Sequence, residues 1–147
     1  MQLTTNFTLE EFTRSTTADR LNIDNTPNAT EISHLRMLCV QILQPARSAL
    51  GPIQISSGFR SAKLNAAVGG VSNSAHRLGY AADIVPVDVG TLELAKWIKD
   101  NTSFDQLILE FGTLANPKWL HVSADPRGRN NILQALGNPT EYKSVNI

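Results

Sequence analysis

Between Ser56 and Val85 the chain reads SSGFRSAKLNAAVGGVSNSAHRLGYAADIV, a run of small residues and glycines that carries Arg60, His76 and Asp83 with almost no competing charge. Imidazole and carboxylate are two of the groups that zinc takes in a catalytic site, where three protein ligands leave a fourth position open. His76 and Asp83 stand seven residues apart, with Gly79 between them as a hinge and Ala81 and Ala82 leaving room. If Ala81 to Pro86 forms a strand, Asp83 points to the face opposite Ala82 and Ile84, and the turn Arg77 to Tyr80 folds His76 back over it. On these two residues alone, a hydrogen-bonded loop pair is the competing reading. A third ligand has to come from a distant strand, and His121, in the apolar run Trp119 to Ser123, is the candidate.

Ser74, His76, Gly79, Ala81 and Asp83 together spell SxHxxGxAxD. That pattern resembles the signature of the zinc D-alanyl-D-alanine carboxypeptidases and the related phage endolysin peptidases. SSGFRS at 56–61 resembles the family's SGYRS element, FDQLILEFG at 104–112 its FDQLI strand, and WLHVS at 119–123 its WVHVS segment. The opening NFTLEEFTRSTTADRLNIDNTP is similar to the helical lead-in of phage and prophage members, so only the tail lies outside the likeness. The resemblance implies one zinc ion held by His76, Asp83 and His121, and a peptidoglycan peptide as substrate. It also implies a site role for Arg60, whose guanidinium hydrogen-bonds the scissile carbonyl oxygen or a substrate carboxylate. Asn65, Ser72 and Ser74 are expected along the approach to the metal, with Ser74 the candidate for a substrate hydrogen bond.

The bulk properties narrow the classes. At 147 residues the chain is read as a single domain, 1–147, long enough to bury about two thirds of its unfolded surface without help from a metal. Thirteen basic and thirteen acidic residues cancel, so no long-range field draws it to nucleic acid or to an anionic membrane. No stretch of eighteen apolar residues exists to insert into a membrane, and MQLTTNFTLEEF lacks the basic-then-apolar layout of a secretory signal. The expectation is a monomer made in the cytoplasm and released to the wall by other means. Cys39 reads as a buried apolar residue.

The elements that must position these residues follow from periodicity. Thr8 with Glu11 suggests a capping box opening a helix that runs to about Thr17. Ile32, Leu35, Leu38, Cys39, Ile42, Ala46 and Leu50 recur at helical spacing, with Pro45 expected to kink or break the helix. His34 lies off that stripe and reads as a solvated surface residue. Ile53 to Ser57 alternates as a half-buried strand, Ser61 to Val68 suits a short helix, and Gly90 to Asp100 an amphipathic one. Gln106 to Glu110 and Lys118 to Ser123 read as a hairpin with a long connection. In the tail only Ile132 to Leu136 alternates, and it suits an edge strand or a loose cover.

Peptide hydrolysis at such a site needs a carboxylate to take the water proton and pass it to the leaving amine. Several relatives place this acid three residues before the last His, where this chain has Lys118. Glu110 is the candidate instead, because antiparallel pairing across the hairpin brings it beside His121. Asp105, at the start of the strand, and Asp125, before Pro126, compete with it. The expected fold is α+β, helices on the amino-terminal side against a small, mainly antiparallel sheet carrying zinc, as in hedgehog and D-Ala-D-Ala metallopeptidases. The expected activity is zinc-dependent cleavage of peptidoglycan peptides in the manner of an endolysin. A second reading, a zinc-holding wall-binding or phage structural module without turnover, draws on Lys118.

Overall fold

In the computed structural model, which describes residues 1–147, residues that alternate in the sequence form strands and residues spaced by three and four form helices. The strands are β1 (Gln2–Thr4), β2 (Phe7–Thr8), β3 (Ile53–Ser57), β4 (Ala81–Pro86), β5 (Gln106–Glu110), β6 (Trp119–Ser123), β7 (Asn131–Leu136) and β8 (Glu141–Ser144). The helices are α1 (Leu9–Thr13), α2 (Thr16–Leu21), α3 (Ala29–Leu38), α4 (Gln44–Leu50), α5 (Ala62–Ala67) and α6 (Thr91–Asn101). Strands β1 and β2 pair only with each other, and the rest make one sheet in the order β3-β4-β6-β5-β7-β8. All its neighbours run antiparallel except β5 and β7.

Period-two alternation divides that sheet into a structural and a chemical face. On one face Ile53, Ile55, Ala82, Ile84, Leu107, Leu109, Leu120 and Val122 are each no more than 7% exposed. They share a single apolar cluster with Leu35, Leu38, Ile42, Leu43 and Ala46 of the long helical segment and Leu94, Ala95 and Ile98 of α6. Cys39 is buried there too, and burial pushes its thiol up to about 12, as suits a packing residue. The other face bears no helix stripe and carries Asp83, His121, Ile108 and Glu110.

The lead-in departs from expectation in two places. Thr8 does stand at the N-cap of α1, yet its side chain caps nothing; its hydroxyl lies 3.4 Å from the Glu11 carboxylate instead. The capping box forms one helix pair later, at Asn28 and Glu31, with bonds of 2.8 and 2.9 Å. The first helix also stops at Thr13, because Arg14 turns extended and Ser15 caps a second one by accepting from the Ala18 amide.

Pro45 neither breaks nor ends its helix. Residues Cys39–Leu43 wind as a π-turn, with the Gln44 amide bonded five residues back to Cys39. The widened turn relieves the clash that a proline ring makes with the carbonyl four residues before it, and helix continues to Leu50.

The tail is part of the sheet. After β6 the chain crosses over and returns as β7, parallel to β5, before β8 folds back along it. Asp105 holds that crossover. Its side chain is fully buried, and its two oxygens accept the Arg129 amide at 2.8 Å, Nε at 3.0 Å and Nη2 at 2.8 Å. Ser123 Oγ adds a fourth bond at 3.3 Å. Val145 and Ile147 pack on the core, and Lys99 Nζ donates to the Ile147 oxygen. Asp105→Ala removes every acceptor from this knot, and a broken buried pair costs on the order of 3 kcal/mol. The variant is expected to melt lower, with amide exchange accelerated in β7 more than in β3; equal protection in both strands would remove Asp105 as the anchor.

Candidate metal centre

His76 owes its position to a short turn. Residues Ala75–Leu78 form a 3-10 helix in which Ser74 Oγ accepts from the His76 amide at 3.3 Å. Gly79 closes it with φ of 81°, and a Cβ there would stand 2.6 Å from the Glu31 carbonyl oxygen, so a side chain is excluded on both counts. His34 reaches across from α3, its ring stacked 4.0 Å from Tyr80 and its Nδ1 2.6 Å from the Leu78 oxygen. It is no ligand, as its place off the stripe suggests, but it braces the turn rather than standing free in water.

The His76 ring is buried and its Nδ1 lies 2.7 Å from the Gly58 carbonyl oxygen. A carbonyl only accepts, so Nδ1 carries the proton and Nε2 presents a lone pair to the site. Gly58 is needed for this approach, since a Cβ would meet the Phe12 backbone at 2.7 Å. Asp83 and His121 arrive by register: they lie directly opposite each other on β4 and β6.

The three side chains converge. His76 Nε2 is 3.3 Å and His121 Nδ1 3.2 Å from Asp83 Oδ1, and the two nitrogens are 3.2 Å apart. With the His76 proton committed to Gly58, its Nε2 lone pair meets Asp83 Oδ1 and His121 Nδ1, a set of donor atoms that could hold a metal ion. Zn–N bonds of about 2.0–2.1 Å in a tetrahedral shell put neighbouring donors about 3.3 Å apart, so the spacing and the donor types both suit zinc. The hydrogen-bonded loop pair does not account for His121, which is drawn in from another strand. Burial alone would push the Asp83 carboxyl up, yet the imidazoles of His121 and His76 beside it hold it far below the ordinary aspartate range. For His76 burial dominates and lowers its pKa against the pull of Asp83, keeping the ring neutral for coordination.

Arg60 flanks this cluster. Its Nη2 is 3.6 Å from Asp83 Oδ2, its Nε donates to Ser57 Oγ at 3.2 Å, and its Nη1 to Asn65 Oδ1 at 3.3 Å. The backbone beneath it is fixed by the Arg60 amide donating to the His76 carbonyl and by Asn25, which accepts from the Ser61 amide and donates to the Thr13 and Phe59 carbonyls. Asn65, expected along the approach, is instead buried behind Arg60, donating to the Val71 carbonyl. Ser72 is exposed, and its carbonyl accepts from Arg77. Ser74 does line the cleft, its oxygen engaged by His76 and its hydroxyl proton free to donate.

Glu110 lies on the chemical face one diagonal from His121, since it pairs with Trp119 while Ile108 pairs with His121. Immediately after it Phe111 takes φ of 58°, a left-handed backbone that costs a non-glycine residue about 1–2 kcal/mol. Its amide bond to the Ala135 carbonyl and its ring against Trp119 offset that strain and fix the end of β5. The Glu110 carboxyl is raised by burial, with Asp83 adding to the shift and His121 and Arg60 opposing it. The competing acids are occupied, Asp105 by Arg129 and Asp125 by Arg127 at 3.0 Å. Lys118 is exposed at the head of β6, its amide donating to the Glu110 carbonyl.

These groups open into a cleft of about 540 Å³ lined by Arg60, Ser74, Glu110, His76, Asp83 and His121, together with Leu133, Tyr142, Arg127 and Arg129 from the tail. The tail residues escape sequence reasoning because nothing local signals that β7 pairs in parallel with β5.

Two measurements test this assignment. His121→Ala and Asp83→Asn are each expected to lose bound zinc in elemental analysis while keeping a native circular dichroism spectrum; stoichiometric zinc in either would remove that residue from the ligand set. Glu110, whose folded pKa is raised, favours the folded state when protonated, and that contribution is lost as pH rises through its folded value. Metal-free Glu110→Gln should therefore melt above metal-free wild type at neutral pH, the gap closing below the ordinary glutamate pKa. A lower-melting Gln variant at neutral pH contradicts the burial assigned to it.

Comparison with known proteins agrees with the geometry. A zinc D-Ala-D-Ala carboxypeptidase of Streptomyces albus G is 41% identical over 68 residues, which are 45% of this chain and 26% of that protein's length. Residues 5–123 match peptidase M15, a span that takes in both ligand strands, the His76 turn, Arg60 and the lead-in helices. On that match, the chain belongs to the peptidase M15 family.

Proposed function

We propose that this protein is a zinc-dependent peptidase of bacterial peptidoglycan, hydrolysing a stem-peptide or cross-link bond adjoining D-alanine. The observation that carries the proposal is the set of three donor atoms at ligand spacing, open to a cleft flanked by a guanidinium and an unpaired carboxylate. Zinc, when bound there, polarises the scissile carbonyl and makes water acidic enough to be activated near neutral pH. Glu110 takes the proton of the attacking water and delivers it to the leaving amine, a role for which a half-buried carboxyl with a raised pKa is suited. Arg60, steadied by Ser57 and Asn65, donates to the carbonyl oxygen as negative charge develops on it. Burial lowers the Arg60 pKa while Asp83 and Glu110 raise it, and a guanidinium remains charged at neutral pH. The Ser74 hydroxyl is free to donate to a substrate carbonyl.

The likeness of the opening segment to phage and prophage members supports an endolysin that acts on the cell wall after release by other lysis proteins. No helix is long and apolar enough to cross a membrane.

Mass spectrometry of muropeptides after digestion tests both the activity and the bond. Loss of D-alanine or of cross-linked dimers is expected with wild type, abolished by a chelator and restored by zinc. Loss of general acid–base catalysis costs about 10²–10⁴-fold, so Glu110→Gln should fall by that much with zinc retained. Clearing that survives chelation removes the metal mechanism, and murein binding without any released fragment favours the silent wall-binding module.

A further inference from the structure

The family match stops at Ser123, but the cleft does not. The β7–β8 hairpin extends the sheet from the edge of β5, and register carries the metal row onward: His121 faces Ile108, and Ile108 faces Leu133. Two residues along, Glu110 faces Ala135 and Ala135 faces Tyr142. All of these share the helix-free face. Ala135 is fully buried there, which for a methyl group on an uncovered sheet requires larger neighbours to close over it, Glu110 and Tyr142 being those directly beside it. Leu133 and Tyr142 line the same cleft as the three ligands.

Most of the Tyr142 side chain stays open beside Ala135. It is 56% exposed on the outermost strand and belongs to none of the molecule's aromatic pairs. A tyrosine at the mouth of a cleft supplies a large, rigid contact surface for little loss of side-chain freedom. Its place across Ala135 from Glu110 decides which part of a substrate it meets, because the group that protonates the leaving amine borders the leaving segment.

We infer that the carboxy-terminal hairpin is a substrate-selecting wall of the cleft, in which the Tyr142 ring covers the leaving segment of the stem peptide and Leu133 with Ile108 forms the apolar floor beneath it. The inference rests on the peptidase reading above. Burial raises the Tyr142 pKa, and the negative charges of Glu110 and Asp83 add to the shift, so the hydroxyl stays protonated beside the acidic side of the cleft. The floor suits small apolar side chains such as the alanine methyl, and the ring offers a flat surface to the adjoining amide.

Tyr142→Ala and Tyr142→Phe are to be compared with wild type on a soluble stem peptide ending in D-alanyl-D-alanine. In a Glu110→Gln background the same pair is compared by co-sedimentation with purified sacculi. Loss of the ring is expected to raise KM about tenfold, the scale of an aromatic contact, with kcat within about twofold and sacculus binding weakened in step. Phe should restore both, and neither variant should change zinc content. Unchanged KM and sacculus binding in the Ala variant overturns the inference, as does a Phe variant that falls with Ala. If wild type cleaves no murein peptide, the reaction proposed above fails by itself. Co-sedimentation then decides the role of Tyr142, weaker binding of the Ala variant supporting it and equal binding overturning it.

Discussion

Asp83 is a carboxylate with only 15% of its side chain exposed, held ionised between two imidazoles and a guanidinium. Taking such a charge out of water is costly unless positive charge or hydrogen-bond donors surround it. Much of the architecture answers that requirement. The β4–β6 register supplies His121 directly opposite, the Gly79 turn returns His76, and the end of β3 leads into the loop that presents Arg60. A divalent ion held there would complete the balance, the metal and the carboxylate each making the other tolerable.

The sheet makes this possible by giving its two faces opposite tasks. Stability comes from the face packed by α3, α4 and α6, where eight strand residues are almost wholly buried in one apolar cluster. That leaves the other face free to hold groups that are unfavourable to fold around: an unpaired acid at Glu110, a left-handed Phe111 and a half-covered arginine. Strain and perturbed protonation gather there because the packed face can sustain them.

Much of this was legible in the chain alone. Strands 53–57, 81–86 and 106–110 fall where the sequence places them, and His76, Asp83 and His121 come together as the family resemblance implied. Local pattern failed where a partner far along the chain decides the outcome. Asp105 looks like a possible base until Arg129 engages both of its oxygens, and Asn65 looks like an approach residue until it is found supporting Arg60 from behind. Residues 132–136 alternate, but alternation does not say which strand they join or in which direction. Thr8 shows the limit of a motif: the right residues stand at the right spacing, and the hydroxyl turns elsewhere.

The wide turn at Cys39–Leu43 has a consequence of its own. A π-turn holds one more residue than the regular winding it replaces, which shifts the phase of everything after it. Ala46 after the turn is fully buried in the same apolar cluster as Leu35 and Leu38 before it. Shortening the segment by one residue would return it to even pitch and take away the room that the turn gives the Pro45 ring. The surplus residue thus acts as a spacer between two half-helices that serve one surface.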